Sequence, residues 1–334
     1  TTRPVTLAAA FPELSSHIGF FDALDVVGYN YKEHLYEESH KRFPDKPFLG
    51  SENGGGYEQW CAVRDNAYIS GQFLWTGIDY LGEANWPQRS AGCGCLDTCG
   101  FEKDAFYFYK SVWNQNEKFA YLCPHWNLKL EKGTVLPVIC YTNCEDAELF
   151  VNGRSFGVKS KGFPCYGMTE RYGHFDRYRR PANTDDLFLS WDVPYEPGKI
   201  EVVGYHDGKE VCRYNVETTG EAAAIKLTVD KTSVDADGRS VVQAEIRIVD
   251  SKGRIVLDAS PQLDFILEGD GEIIGIDNGD PACHEQWKET KGRHAFNGMA
   301  YAVIRAGQNK GELKLTVTSS DNILTNASAT IQAC

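Results

Sequence analysis

Carboxylates and aromatic rings recur at the ends of short apolar runs in the first third of this sequence. Glu52 ends one such run, "KPFLGSE", and is followed after Asn53 by three glycines. The preceding run ends in Asn30 and Tyr31, and the next is followed by Trp75, Asp79, Glu83 and Trp86. Rings stack on the apolar faces of pyranosides, while carboxylates bind hydroxyls or attack an anomeric carbon. The pattern predicts a sugar-binding pocket, although a lone Glu52 would be a solvated loop carboxylate.

Alternating elements are expected to position these side chains. Apolar runs at 3–8, 23–31, 46–52 and 71–80 read as strands, and residues 57–69 and 102–114 have helical spacing. Buried strands that alternate with helices predict βα units and a parallel sheet. About four units fit, which is half of an eight-fold barrel. In such barrels the catalytic groups lie at the C-terminal strand ends, where Glu52 is expected.

From about residue 125 the pattern changes to short strands with period-two alternation. The intervening turns are Asn152-Gly153, Pro197-Gly198 and Asp207-Gly208, which is the chemistry of β-hairpins. This predicts an all-β sandwich, then a linker at 218–224 and a second sandwich. The predicted domains are a half barrel at 1–122 and sandwiches at 123–219 and 220–334.

Charge and cysteine content exclude several classes. The net charge of −13 argues against a nucleic-acid or anionic-membrane partner. The Arg- and Tyr-rich segment 170–180 is accordingly interpreted as an inter-strand loop. No apolar run approaches the roughly 18 residues that span a bilayer. Cys93, Cys95 and Cys99 fit no common zinc spacing, so neither a metal nor another cofactor is predicted.

The longest motifs resemble a known family. "SENGGGYEQW", followed by "GQFLWTGIDYLGEANWPQRSAGCGCLDTCGFEKDAFYFYKSVW", closely resembles glycoside hydrolase family 2, the β-galactosidase-like retaining enzymes. "AELFVNGRSFGVK" and "WDVPYEPGKIEVVGYHDGKEV" resemble the sandwich that follows the barrel in many bacterial members. The resemblance implies an α/β plus all-β chain: the C-terminal half of a (β/α)8 TIM barrel, strands five to eight, followed by two immunoglobulin-like β-sandwich domains.

The same resemblance implies roles for the strand-end residues. Glu52 matches the catalytic nucleophile, which forms a glycosyl-enzyme that water hydrolyses with help from a second carboxyl roughly 5–5.5 Å away. Tyr31 matches the tyrosine that hydrogen-bonds this nucleophile, with a core tyrosine as the alternative. Trp75 would form the floor of the sugar subsite. The remaining expected substrate contacts are Asn30, Asp79, Glu83 and Trp86, and Arg89 is expected to pair with a carboxylate.

One catalytic group of the family has no counterpart here. Its acid/base is the Glu of an Asn-Glu pair at the fourth barrel strand, and the only such pair in this sequence, Asn116-Glu117, follows the last barrel helix. We therefore expect the C-terminal portion of a larger enzyme, inactive alone. Its open sheet edges would need the N-terminal remainder, or a homo-oligomer, to cover them.

Substrate type is partly predicted by the same comparison. Glucuronidases of the family carry an Asn-x-Lys motif soon after the eighth strand, and residues 91–100 lack it; Asn127-x-Lys129 lies past the last helix. A neutral β-glycoside, most simply a galactoside of an oligosaccharide or glycoconjugate, is expected, with mannose, glucose and arabinose left open. The expected location is periplasmic or secreted, in a bacterium. The alternative function is a non-catalytic carbohydrate-binding or scaffolding fragment.

Overall fold

A computed structural model describes residues 2–161, 187–286, 288 and 290–334; the predicted loop 170–180 lies outside them. The chain divides into two compact units. The first comprises Thr1–Ala84 and Ser90–Asp97, and the second comprises Asn85–Arg89 and Thr98–Cys334. In the described ranges no helix is long and apolar enough to cross a membrane.

The first unit is built on a four-stranded sheet whose strands follow chain order. The strands are β1 (Thr6–Ala9), β2 (Val26–Asn30), β3 (Phe48–Asn53) and β4 (Ile69–Leu74). Every neighbouring pair is parallel, as the alternation predicts. The connections contain α1 (Pro12–Ser15), α2 (Tyr36–Arg42) and α3 (Tyr57–Arg64), with 3-10 turns at Phe21–Ala23 and Glu33–Leu35. Beyond the sheet, β5 (Tyr80–Leu81) and β6 (Ser90–Ala91) form an antiparallel pair.

Aromatic packing on one face of this sheet fixes the strands that carry the candidate site. Tyr29 and Phe48 are fully buried and meet edge to face, with ring centroids 5.7 Å apart; Tyr29 also stacks on Tyr36 of α2. A Cβ at Gly28 would lie 2.4 Å from the carbonyl oxygen of Leu7, so only glycine fits where β1 and β2 meet. This close packing holds β2 and β3, and therefore their ends, in fixed positions.

The second unit begins with a helix and a two-layer β-sandwich. Its helix is α4 (Asp104–Trp113), and its first strands are β7 (Ala120–Cys123), β8 (Val135–Thr142), β9 (Asp146–Val151), β10 (Arg154–Ser160), β11 (Leu189–Pro194), β12 (Lys199–His206) and β13 (Lys209–Glu217). One sheet has the order β11-β8-β7 and the other β10-β9-β12-β13. Tyr107 of α4 stacks on Tyr121 of β7 at 3.6 Å. The strand β7 thus spans the predicted boundary at residue 122 and lies in the sandwich.

Alternating buried residues of the two sheets form the core of this sandwich, among them Val138, Leu149, Trp191 and Val202. Two of its hairpins have the turns that their sequences indicate. Asn152 and Gly153 have φ of 50° and 80°, and Asp207 and Gly208 have φ of 49° and 71°. Positive φ at both central residues matches the right-handed twist of the flanking strands.

A second sandwich completes the unit. Its strands are β14 (Ala222–Val229), β15 (Ser233–Val234), β16 (Val241–Asp250), β17 (Gln262–Glu268), β18 (Gly271–Asp277), β19 (Gly292–His294), β20 (Met299–Ala306), β21 (Gly311–Ser319) and β22 (Ala327–Ala333). The sheets have the orders β14-β16-β20-β18 and β15-β22-β21-β17-β19. Buried Ile, Leu, Val and Ala side chains from both sheets form one core.

Polar contacts tie the two sandwiches together across the predicted linker. Asp250, 2% exposed, accepts from Gly220 N at 3.0 Å and from the guanidinium of Arg254, which also pairs with Glu217. These donors, Arg254 first, hold the pKa of Asp250 well below its usual range. Asn127 accepts from the backbone N and hydroxyl of Thr219.

Candidate active site

Glu52 is positioned by an irregularity in the pairing of β2 and β3. Tyr29 is opposite Gly50, but the next residue of β2, Asn30, is opposite Glu52, so one extra residue of β3 bulges between them. Such bulges re-aim side chains at strand ends. Asn30 Nδ2 donates to Glu52 Oε2 at 3.1 Å, and Ser51 Oγ donates to Asn30 Oδ1 at 2.8 Å. The half-buried carboxylate is therefore held by a side chain that is itself fixed.

Asn53 links the end of β3 to β4 and to α2. Its side chain is fully buried, donates to Gln72 Oε1 on β4 at 3.1 Å and accepts from the Tyr36 hydroxyl at 3.5 Å. A Cβ at Gly50 would lie 2.6 Å from the Asn53 amide, so the close approach requires glycine there. Asn53 was not among the predicted site residues. A polar residue at an inward position of a buried strand nevertheless indicates a buried hydrogen-bond network.

Tyr31 turns its phenol toward Glu52 through an unusual backbone conformation. Its φ is 54°, and its N–H donates to the Glu52 carbonyl oxygen at 2.8 Å. Non-glycine residues with positive φ are uncommon and concentrate at functional sites. The pKa of Tyr31 is raised well above 10, first by partial desolvation and then by its hydrogen bond to Glu52. The phenol therefore stays protonated, and its O–H can donate a hydrogen bond to the carboxylate.

Trp75 directly follows β4, which ends at Leu74 and not at residue 80 as predicted. The Thr76 hydroxyl donates to the Ile78 carbonyl oxygen and closes a turn there. Trp75 Nε1 donates to the Tyr80 hydroxyl at 2.8 Å, and that hydroxyl donates to Glu83. The bond to Glu83 is the first cause of the raised pKa of Tyr80. Tyr80 was not among the predicted site residues, although it links two of the predicted substrate contacts, Trp75 and Glu83.

The Asp79 carboxylate, predicted as a substrate contact, already has a partner within the protein. Its side chain is buried, and Oδ1 accepts from the Gly94 N–H at 2.7 Å. A Cβ at Gly94 would lie 2.3 Å from Asp79 N, so the approach of this loop requires glycine. The Cys93 thiol lies 3.8 Å from the Thr76 hydroxyl. At least one oxygen of Asp79 is therefore used to hold the loop that carries Cys93.

Trp86 belongs to the second unit, unlike the other predicted site residues. It is 82% exposed, and its ring lies 4.6 Å from that of His284. Arg89 pairs with the Asp277 carboxylate through Nη2 at 3.0 and 3.3 Å, as expected from the sequence. His284 and Asp277 come from the second sandwich, far away in sequence.

Gly54 leaves open space after Glu52, whereas a Cβ at Gly56 would lie 2.3 Å from Gln59 Oε1. A Cβ at Gly54 would meet no atom within 4 Å. Glycine can adopt a positive φ, but Gly56 does not. Its φ is −81°, and it is the extended N-cap residue of α3.

One group among the described residues brings three potential metal ligands together. Ligand atoms of Glu145, His206 and Asp207 lie within 4.8 Å of one another at the turns of the first sandwich. Glu145 already contacts His206 Nδ1 at 3.1 Å, and the Asp207 and Glu145 side chains are exposed. Exposed acidic side chains commonly lie this close together without a bound ion.

Two family profiles match the second unit. The profile described as "Glycoside hydrolase family 2 C-terminal domain 5" covers residues 225–328, and "Domain of unknown function (DUF4982)" covers residues 133–212. Both ranges fall in the sandwiches.

Relatives and solved structures match across both units. A protein named beta-galactosidase BoGH2A, from Bacteroides ovatus, is 34% identical over 368 aligned positions, which cover 95% of this chain and 40% of that protein. A protein named beta-glucuronidase, from Formosa agariphila, is 29% identical over 213 residues, covering 63% of this chain and 19% of that protein. A crystal structure of a glycosyl hydrolase family 2 member from Bacteroides cellulosilyticus superposes with a TM-score of 0.85 at 29% identity, covering 100% of this chain and 45% of that chain.

This chain thus spans less than half the length of these proteins. Its similarity nevertheless extends over nearly all of its own residues, from the parallel sheet to the last sandwich. The chain belongs to glycoside hydrolase family 2 and carries C-terminal domains of that family.

Proposed function

We propose that this chain supplies the nucleophile of a retaining β-glycosidase and that Glu52 is that nucleophile. The observation that carries the proposal is the hydrogen bond from the Asn30 amide to Glu52 Oε2 at 3.1 Å, with the neutral Tyr31 phenol as a second neighbour of the carboxylate. Both residues lie at the end of β2 and fix the direction of the carboxylate. Because neither is charged, they do not neutralise it, whereas a cationic partner would. A carboxylate prepared in this way suits attack on a carbon that develops positive charge.

In the proposed reaction, a Glu52 oxygen forms a bond to the anomeric carbon while the bond to the leaving oxygen breaks. A carboxylic acid from another part of the enzyme protonates that oxygen. The same group, now a base, then takes a proton from water, which cleaves the glycosyl–Glu52 ester and regenerates the carboxylate. Trp75, braced by Tyr80 and Glu83, would offer its ring to the apolar face of the sugar.

The acid/base is proposed to come from an upstream part of a barrel of which β1–β4 are strands five to eight. Residues on the outer strands support this proposal, since Val5 and Leu7 near β1 and Phe73 on β4 are exposed apolar side chains. Further strands or helices would cover them. The division at 1–122, 123–219 and 220–334, the immunoglobulin-like character of the sandwiches and a periplasmic or secreted location belong to the same proposal.

The proposed substrate is a neutral β-glycoside, a galactoside first. Residues 91–100 lack the Asn-x-Lys motif that glucuronidases use. The Asn127 and Lys129 side chains, which have the right letters, both contact Asp258 of the second sandwich, with Lys129 Nζ 3.3 Å from Oδ2. Relatives bear both names, β-galactosidase and β-glucuronidase, so a panel of substrates must decide.

A mechanism-based label tests the nucleophile directly. The full-length polypeptide encoded by the gene is incubated with 2-deoxy-2-fluoro-β-galactosyl fluoride, whose leaving group needs no protonation. We expect one covalent sugar, located on Glu52 by peptide mapping, and no label in Glu52→Gln. A label on another carboxylate, or undiminished turnover of nitrophenyl β-galactoside by Glu52→Gln, would refute the assignment.

The isolated chain is the matched comparison. We expect it to turn over no nitrophenyl β-galactoside, because the acid/base is proposed to lie outside it. If the full-length polypeptide binds oligosaccharides but neither reacts with the label nor hydrolyses any member of a nitrophenyl glycoside panel, the carbohydrate-binding alternative replaces the enzyme.

A further inference from the structure

Trp86, which the resemblance predicts as a substrate contact, forms an aromatic surface in the second unit with His284, which the sequence did not single out. The two rings lie 4.6 Å apart at an interplanar angle of 30°, and the indole is 82% exposed. An exposed indole normally lowers its free energy by turning onto the protein surface. Here it is held in the open, in contact with an imidazole from the second sandwich.

The segment that carries Trp86 is fixed from the same sandwich. Arg89, three residues further along, contacts both oxygens of the Asp277 carboxylate through Nη2, and its backbone N donates to the Pro281 carbonyl oxygen at 2.7 Å. His284 Nε2 lies 2.7 Å from the Pro87 carbonyl oxygen. A hydrogen bond between two charged groups is stronger than one between neutral groups.

The loop that carries His284 is fixed from below by a fully buried charge. Arg293 on β19 is 0% exposed and donates through Nη1 to the Glu285 carbonyl oxygen and through Nη2 to that of Ile276, both at 2.8 Å. It also contacts the Cys283 thiol at 3.3 Å. Burying a guanidinium is costly unless its donors are used, and here Nη1 contacts the residues on either side of His284 while Nη2 donates to Ile276.

This geometry determines what His284 offers to a ligand. A carbonyl oxygen only accepts, so the short contact with Pro87 requires the proton on Nε2. In neutral His284, Nδ1 then carries a lone pair beside the exposed indole. The surface therefore combines a flat apolar face with one hydrogen-bond acceptor.

We propose that Trp86 and His284 together bind a pyranose ring of an oligosaccharide: the indole stacks on the apolar face of the sugar, and His284 Nδ1 accepts a hydrogen bond from one hydroxyl. The ligand class rests on the proposed function, whereas the site itself rests on contacts of the second unit alone. His284 is then a specificity-determining residue, and Arg293 and the Arg89–Asp277 pair are positioning residues.

The test is binding of lactose to the full chain, measured by saturation-transfer NMR titration. We expect Trp86→Ala to raise Kd about 10-fold or more through loss of stacking, and His284→Phe, which retains a ring but no acceptor, to raise it about 5-fold. Phe11→Ala, which removes a ring that is 72% exposed in the first unit, is the control and should leave Kd unchanged. Circular dichroism checks that each variant is folded.

Several results would overturn the proposal. These are absence of lactose binding by the folded chain, equal Kd for wild type and Trp86→Ala, or a change of oligomeric state in Trp86→Ala without a change of Kd, which would assign the indole to a protein interface. Glu52→Gln keeps the two proposals separable, because it should abolish labelling of the full-length polypeptide and leave the effect of Trp86→Ala on Kd unaltered.

Discussion

The Asn30 amide nitrogen lies 3.1 Å from Glu52 Oε2, and the two residues are also paired in register on neighbouring parallel strands. The backbone pairing and the side-chain contact therefore fix each other. Ser51 completes the arrangement, because its hydroxyl orients the Asn30 amide with the nitrogen toward Glu52. If Glu52 is the nucleophile, its aim depends on Asn30.

Asn30→Ala is predicted to lower kcat/KM of the full-length polypeptide about 10- to 100-fold, since a hydrogen bond to a charged group contributes about 1.5–3 kcal/mol. Steady-state kinetics with a nitrophenyl β-galactoside measures this. Ser51→Ala, which removes only the orienting hydroxyl, should cost less. Equal kcat/KM for wild type and Asn30→Ala would show that the contact has no role in the reaction.

Tyr80→Phe is predicted to raise KM about 5-fold while kcat changes less than about 2-fold. The substitution removes the acceptor of Trp75 Nε1 and the donor to Glu83, which is worth about 1 kcal/mol of binding common to ground and transition state. Tyr68→Phe is the control, because Tyr68 directly precedes the other end of β4. A fall in kcat with KM unchanged would contradict a binding role for this chain of hydrogen bonds.

Gly94→Ala is predicted to lower the free energy of unfolding by about 1–3 kcal/mol, because the new Cβ would lie 2.3 Å from Asp79 N and 2.4 Å from Ile78 C. Urea unfolding of the full chain measures the loss. Gly92→Ala is the matched control two residues earlier, where a Cβ would meet no atom within 4 Å. Equal midpoints for the two variants would mean that the loop is not packed as described.

Asp250 is predicted to make stability depend on pH in acid. Its folded-state pKa is depressed, first by Arg254, so its contribution is complete above the unfolded value of about 3.9 and is lost as pH falls through the folded value. In thermal unfolding between pH 2.5 and 7, Asp250→Asn should lower Tm at pH 7 and flatten the acid decline. Asp237→Asn should do so less, because the Asp237 carboxyl accepts from the backbone of Ser240 and Arg239 and from the Ser240 hydroxyl rather than from a guanidinium. Parallel curves for wild type and Asp250→Asn would exclude this linkage.

Local pattern was enough to predict the strands that carry the site. The apolar run at 23–31 contains β2, and the run at 46–52 contains all of β3 except its last residue, Asn53, because inward alternation and flanking polar residues are local properties. The run at 71–80 was wrong at both ends: β4 begins at Ile69 and ends at Leu74. Its end depends on the Thr76–Ile78 turn, which hydropathy does not report.

Contacts between distant residues could not be predicted in this way. The sequence indicated a substrate contact for Trp86, but its partner His284 lies in the second sandwich, and only folding brings the rings together. Asp79 shows the converse: its type suggested a sugar ligand, while the direction of its carboxyl is set by the Gly94 amide. Residue type thus predicted which side chains are polar or aromatic near the strand ends, and tertiary packing determined what each contacts.

The joint between the sandwiches has a consequence for recombination of these modules. Asp250 is buried beneath Gly220 and Arg254, Arg254 reaches Glu217, and Asn127 accepts two hydrogen bonds from Thr219. Exchanging one sandwich alone, by a cut in the linker, would part Arg254 from Glu217, although Asp250 and Arg254 would stay together. The two sandwiches should therefore be exchanged between enzymes, in the laboratory or by gene fusion, as one cassette.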